Sequence, residues 1–362
     1  MKSLDKKTAC MVIGSYLDTL GYKNGVWEFN FNEKIPELVN GTVVSYEILH
    51  NYYAFGGPNI NISKWVASDD TILMIATKKA CIKGGKYEDY KKEYLKVLPL
   101  LKEDKRGSGI ATIESLELLA KNKKIKYDKK YGGNGPASRC AYIGIHNDNI
   151  DEIIKQSIIS SRMTHNYTMG FLSGLVVALF THYAYNDVNI FEWSIKLIEL
   201  YENGNIDKYM RTTDIYNEYE KDKVKFFDYF YMFNEEMLET YKYRINDNLY
   251  SVSRLAKLEK YLPAIKYSGN YGNMGGSGIG CVIYSYDALL MSYDYEHKTF
   301  NFDSLVFFST LHFGDNDTTG AVCGCWFGAL TGFKYFDKEK INMLEFKSYL
   351  VENTHMSVLP DS

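Results

Sequence analysis

Five stretches of this chain repeat apolar residues at spacings of three and four with charges on the intervening face, a periodicity that belongs to amphipathic helices. They are "YEDYKKEYLKVLPLL" (87–101), "IATIESLELLAKN" (110–122), "IDEIIKQSIISSRM" (150–163), "IFEWSIKLIELYEN" (190–203) and "FDYFYMFNEEMLETYKYRI" (227–245). Strict alternation is rare, there are only 6 prolines, and the glycines gather in loops instead of spacing out regular turns. An all-α protein is expected. Since 46% of its 362 residues are hydrophobic, the chain can bury a substantial core. No repeat of roughly 20 to 50 residues and no low-complexity linker divides it, so it reads as one large multi-helical domain over residues 1–362.

A formal charge of −3 supplies no overall basic field, so general nucleic-acid binding is not expected. The lysine-rich "KNKKIKYDKKYGG" (121–133) reads as a solvated connector. Cysteines 10, 81, 140, 281, 323 and 325 form no C-x-x-C unit, which argues against a zinc site or a disulfide framework and for a reducing compartment. With no long apolar stretch near the N-terminus, a cytoplasmic location is expected. "MTHNYTMGFLSGLVVALFTHYAYN" (163–186) has the length of a membrane span, but its ends are polar and only Met169 to Phe180 is mainly apolar. A buried helix is expected there and in "AVCGCWFGALTGF" (321–333), and no membrane partner.

Two acidic segments lie almost a chain length apart. In "ASDDTILMIATKKA" (67–80), Ser68 precedes Asp69, Asp70 and Thr71 and an apolar helical pattern follows; "FGDNDTTGAVCGCWFGALTG" (313–332) places Asp315, Asp317 and Thr318 at the start of another. Helix capping accounts for one polar residue in each. If the segments meet, four carboxylates and two hydroxyls share a small volume and cannot all stay ionised unpaired; a hard divalent cation resolves that conflict. Oxygen donors without Cys or His select magnesium, calcium or manganese over zinc. Spacing alone does not separate one ion from two.

Three glycine-rich loops, "RGSG" (106–109), "YGGNGPASR" (131–139) and "GNMGGSGIG" (272–280), can bring backbone N–H groups to phosphate oxygens and suggest a dinucleotide-like ligand. Candidate binding residues are Gly107, Gly109, Tyr131, Gly132, Gly133, Asn134, Gly135, Ser277 and Gly278. None of the loops fits a Rossmann or P-loop context.

"LDTLGYKNGVWEF" (17–29), "SDDT" (68–71), "GGNGPASR" (132–139), "SSRMTH" (160–165), "YSYDALL" (284–290) and "GDNDTTGAVCGCWFGALTGF" (314–333) occur in the order found in ADP-ribosylglycohydrolases, and over about residues 10 to 340 the chain resembles that family. It looks closest to the ADP-ribosylarginine hydrolase branch. The resemblance implies an all-helical domain with two magnesium ions in a cleft, manganese being possible, that hydrolyses the C1″ bond between ADP-ribose and a protein side chain. By motif match, Ser68, Asp69, Asp70, Asp315, Asp317 and Thr318 would be metal ligands and His165 a substrate-binding histidine. Asp69 and Asp70, with Glu28 near the catalytic entrance, would carry the chemistry. Partners implied are ADP-ribose and an ADP-ribosylated protein, and a monomer is expected.

The chain departs from the family in three places. The family's Gly-Asp-Ala-Leu-Gly reads Leu17-Asp18-Thr19-Leu20-Gly21, its Gly-Ala-Ala-Met-Arg reads Gly135-Pro136-Ala137-Ser138-Arg139, and its Ser-Gly-His-Asp ends in Ile279 and Gly280. Pro136 removes one N–H donor. The same motifs leave open an inactive ADP-ribose-binding module or a hydrolase of O-linked serine conjugates.

Overall fold

The computed structural model describes residues 2–28, 37–238 and 275–351. The periodic segments fold as helices at Tyr87–Leu101, Ile110–Ala120, Ile150–Arg162, Trp193–Glu202 and Tyr216–Phe233. The last starts earlier than its apolar pattern and runs into a π-helical turn, Asn234–Leu238; residues 239–245 of the expected segment lie outside the described residues. Two expected ends also move inward. Lys121 closes the Ile110–Ala120 helix and Asn122 adopts φ 55°, while residues 190–192 form a 3-10 turn before Trp193. Among the described residues, strand pairing is confined to the short Tyr293–Asp294 and Thr299–Phe300 hairpin and one bridge between Gly133 and Ser277.

The candidate membrane span is the Thr168–Tyr185 helix, 89% buried inside the fold. It packs on the helices Gly135–Arg139, Ala141–His146, Ile150–Arg162, Gly278–Met291 and Asn316–Thr331. Its Phe180 lies among Trp193, Phe230, Tyr286 and Trp326, with ring centroids 5.1 to 6.3 Å away. Protein fills the surface that lipid would otherwise cover. All six cysteines are free and buried.

The pairing that positions the site joins the N-terminal helix, Lys2–Tyr22, to Asn316–Thr331. Gly320, Gly324 and Gly328 recur every four residues along one stripe, and Gly14 and Gly21 answer from the other helix. A Cβ at Gly328 would lie 2.3 Å from the Ala9 carbonyl oxygen, one at Gly324 2.6 Å from that of Ile13, and one at Gly21 2.3 Å from that of Asn316. The helices therefore run antiparallel, backbone against backbone. Asp18, one turn before Tyr22, is carried by this contact to the start of the partner helix. Gly324→Val should destabilise the protein by about 2 to 3 kcal/mol, because the obstruction is backbone and cannot rotate away. Denaturant unfolding checks it; a loss under about 0.5 kcal/mol would mean that the helices separate cheaply.

Candidate active site

Both acidic segments begin helices, and each uses one residue as a cap. Ser68 Oγ accepts the Asp70 N–H at 3.1 Å ahead of Asp69–Lys83; Asp315 accepts the Thr318 N–H at 3.3 Å ahead of Asn316–Thr331. Capping leaves Asp69, Asp70 and Asp317 unexplained. The segments meet through a third partner, Asp18 on the N-terminal helix. Carboxylate oxygens of Asp18, Asp70 and Asp317 all lie within 4.8 Å of one another, as do those of Glu28, Asp315 and Asp317. Asp317 belongs to both triads.

Local hydrogen bonds fix these side chains. Ser68 donates to Asp18 Oδ1 at 2.6 Å, and Thr71 donates to Asp18 Oδ2. Asn316 donates to the Trp27 carbonyl at 3.1 Å, bringing Glu28 to the second segment. Asn134 donates to both the Gly275 carbonyl and Asp315 Oδ2 at 2.8 Å. Asp317 Oδ1 accepts the Thr318 N–H at 2.9 Å, and Thr318 is itself buried. Asp70 Oδ2 is buried with no hydrogen-bond partner, so an ionised oxygen there lacks compensation from the protein.

Burial shifts the whole group toward the protonated form. It pushes Asp18 up to about 6 against the opposing Ser68 and Thr71 hydrogen bonds, and Asp69 up to about 7 with help from the charges of Asp18 and Asp315. Asp70, raised by burial and then by Asp69 and Asp18, stands well above the usual carboxylate range, and so does Asp317, raised by burial and then by Glu28 and Asp315. Burial and the Asp315 charge do the same to Glu28, and burial raises Asp315. Asp69 joins neither triad and keeps partial solvent exposure.

The glycine loops wall this cluster. Gly278 N–H donates to the Gly132 carbonyl at 2.9 Å and Gly133 bridges Ser277, so the 131–135 loop lies against the start of the Gly278–Met291 helix. Ser277 caps that helix through the Gly280 N–H at 3.0 Å, and Ile279 is buried. Residues 272–274 of the third loop lie outside the described residues. Gly107, at φ 69°, packs on Tyr22, where a Cβ would meet the ring at 2.8 Å; Gly109 precedes the Ile110–Ala120 helix, whose Thr112 faces Gly135. Tyr131 is buried.

His165 sits beneath the 131–135 loop. A Cβ at Gly133 would stand 3.2 Å from its Nε2 and one at Gly135 2.9 Å from its Cε1. Arg139 Nη2 donates to Thr164 Oγ1 at 2.8 Å, and the same oxygen lies 2.8 Å from His165 Nδ1. Burial and the Arg139 charge hold the imidazole near 3, so His165 is neutral. Arg139 also donates to the Gly135 and Ser160 carbonyls at 3.0 and 2.9 Å, tying the loop to the "SSRMTH" turn.

The sequence reading left Asp18 out of the ligand set and gave Asn316 no role. A signal for Asp18 was present: from Ala9 to Tyr22 it is the only acidic or basic side chain in a run otherwise apolar or small, and it is fully buried.

The fold and site together define an all-α protein whose two acidic segments and N-terminal helix converge on a cluster of oxygen donors suited to a metal ion. The chain belongs to the ADP-ribosylglycohydrolase family, whose model matches residues 2–359. It is 33% identical over 373 residues to ADP-ribosylhydrolase ARH1 of Dictyostelium discoideum, covering 94% of this chain and 90% of that one. It is also 31% identical over 349 residues to a protein of Acanthamoeba polyphaga mimivirus named for ADP-ribosyl glycohydrolase activity, covering 91% of this chain and 64% of that one. A solved ADP-ribosylglycohydrolase-related protein complex shares the fold with a TM-score of 0.55 at 16% identity, over 97% of this chain and 96% of that one.

Proposed function

We propose that this chain is a magnesium-dependent hydrolase that releases ADP-ribose from arginine side chains of modified proteins. The observation carrying this reading is the pair of carboxylate triads, Asp18–Asp70–Asp317 and Glu28–Asp315–Asp317, joined at Asp317. The residues fit a hard cation. Every donor is oxygen, the acids raise one another's pKa, and the buried Asp70 Oδ2 lacks a partner. The two triads, which share Asp317, are the residues that would hold two such ions, with Ser68, Asp69 and Thr318 at their margins.

Cations there would supply positive charge at the ribose hydroxyls and the attacking water. The chain's own groups do the rest. Asp69, outside both triads and partly exposed, is the carboxylate suited to take the proton of the attacking water at its Oδ atoms. The clustered carboxylates stabilise positive charge developing at C1″ as the glycosidic bond lengthens. Neutral His165 and the backbone of Gly133 to Gly135 offer uncharged polar groups to the anionic ligand.

Arginine is favoured by the likeness of "GYKNGVWEF", "SSRMTH" and "GCWFGALTGFK" to the arginine branch. An arginine conjugate is already cationic and departs as a neutral guanidine that is protonated afterwards, whereas a serine oxygen needs a proton to leave as an alcohol. Release from arginine-modified substrate should run at least about tenfold faster than from a matched serine-modified one, about 1.4 kcal/mol in transition-state preference. Time-resolved release with magnesium present decides. Equal rates, or faster serine release, would remove the arginine reading; no release while ADP-ribose still binds would favour a binding module.

A further inference from the structure

Ala67, immediately before Ser68, is held through both its carbonyl and its N–H by two residues distant in sequence. Arg106 Nη1 donates to the Ala67 carbonyl at 2.9 Å, and Glu345 Oε2 accepts the Ala67 N–H at 3.0 Å. The two side chains pair in a fork, Nη1 to Oε2 at 2.8 Å and Nη2 to Oε1 at 2.9 Å. Arg106 is buried at 2% exposure and its guanidinium lies 5.5 Å from the Phe346 ring centroid. Burial pushes Glu345 up, yet the hydrogen bonds from Arg106 and Ala67 hold it below its ordinary value, so it is the ionised partner of a fixed pair.

This grip fixes the backbone that enters Ser68, the cap of the helix start from which Asp69 and Asp70 project. Neither Arg106 nor Glu345 belongs to either carboxylate triad. Both lie on segments that otherwise have their own anchors. Gly107, next to Arg106, packs on Tyr22, and the Tyr22 hydroxyl donates to the Lys105 carbonyl at 3.1 Å. The Lys347–Val351 helix beyond Glu345 is held on Asp69–Lys83 by Lys78, which donates to the Tyr349 and Leu350 carbonyls at 3.0 and 3.3 Å. Simple attachment of these segments therefore does not need a bidentate ion pair closed on Ala67.

We infer that Arg106 and Glu345 are positioning residues for the acidic cluster, locking the Ala67 peptide so that the carboxylates of the Ser68–Asp70 segment are preorganised for a divalent cation. The inference rests on the proposed metal reading of the cluster. A preorganised ligand set binds its ion without first ordering the chain, and losing an outer support of metal ligands weakens binding.

The test uses the full chain with Mn2+ as probe, its affinity measured by electron paramagnetic resonance or calorimetry on protein verified as folded. Arg106→Lys keeps the charge but loses the fork; Glu345→Gln keeps the shape but loses the charge. Each should bind Mn2+ about tenfold more weakly than the unsubstituted protein. Lys78→Met, which loosens the same C-terminal helix without touching Ala67, should lower the melting temperature and leave Mn2+ affinity within about twofold. Unchanged affinity in Arg106→Lys and Glu345→Gln, or an equal loss in Lys78→Met, would overturn the positioning role while leaving the metal reading intact. If the unsubstituted protein binds no Mn2+, the metal reading falls and this inference with it.

Discussion

Asp317→Asn is expected to slow ADP-ribose release by at least about a thousandfold, about 4 kcal/mol, and to abolish most of the thermal stabilisation given by magnesium or manganese. Asp317 is the member common to both carboxylate triads, so neutralising it strips an anionic donor from each at once. The substitution preserves shape and an acceptor oxygen for the Thr318 N–H, and the helix retains its Asp315 cap. A second consequence separates ligand from cap. Asp317 is buried beside Glu28, Asp315, Asp70 and Asp18, all of which raise its pKa, and Asn removes a group that must either hold a proton or carry a charge against theirs. The metal-free variant should therefore melt at or above the temperature of the metal-free parent, while the metal-dependent rise disappears. Melting curves with and without metal, together with release kinetics, check both parts. A variant that loses stability without metal yet keeps its metal response would show Asp317 to be a helix-end residue only.

Helix identity was legible in the sequence because apolar spacing reports the face each helix buries; Tyr87–Leu101 begins and ends where its periodicity does. Ends were less legible where a local conformation intervened, as at Asn122 with its positive φ. The acidic segments were legible as pairs in excess of what a cap requires. Their meeting was not, because it depends on a stripe of glycines whose meaning lies in the opposing backbone: Gly324 is informative only once Ile13 is known to face it. Asp18 was obscured for the same reason, since its neighbours in sequence are apolar and its partners Ser68 and Thr71 are 50 and 53 residues away. Glu345 lies 239 residues from Arg106, and no local pattern announces the pair. The setting of His165 was likewise beyond the motif "SSRMTH", because it depends on Arg139, whose guanidinium bonds the Thr164 hydroxyl beside the imidazole.

Metal affinity should rise with pH, by about a hundredfold between about pH 5 and pH 7 if one net proton is displaced per binding event, and more if two are. The group that must lose protons is visible in the shifts: Asp18 stands at about 6, Asp69 at about 7, and burial with neighbouring carboxylates raises Asp70, Asp317 and Glu28 well above the usual carboxylate range. Near pH 5 the metal-free cluster is therefore largely protonated, and a cation must displace protons to enter. For the metal-free protein the sign runs against the familiar acid-denaturation pattern. A carboxyl whose folded pKa lies above its unfolded value binds more protons in the native state across the interval between them. Stability contributed by this cluster is therefore greatest below about pH 4 and is lost as pH rises through about 6 to 7. Saturating magnesium removes that loss, because the cation takes over the compensation that protons provided. Calorimetric titrations at about pH 5, 6 and 7, in buffers of different ionisation enthalpy, count the released protons directly, and melting curves over the same range follow the stability term. Affinity that varies less than about threefold over those two units would mean that the carboxylates are already ionised without metal, each compensated by partners inside the protein. The lone Asp70 Oδ2 argues against that outcome: with no donor to it, ionisation there awaits a cation.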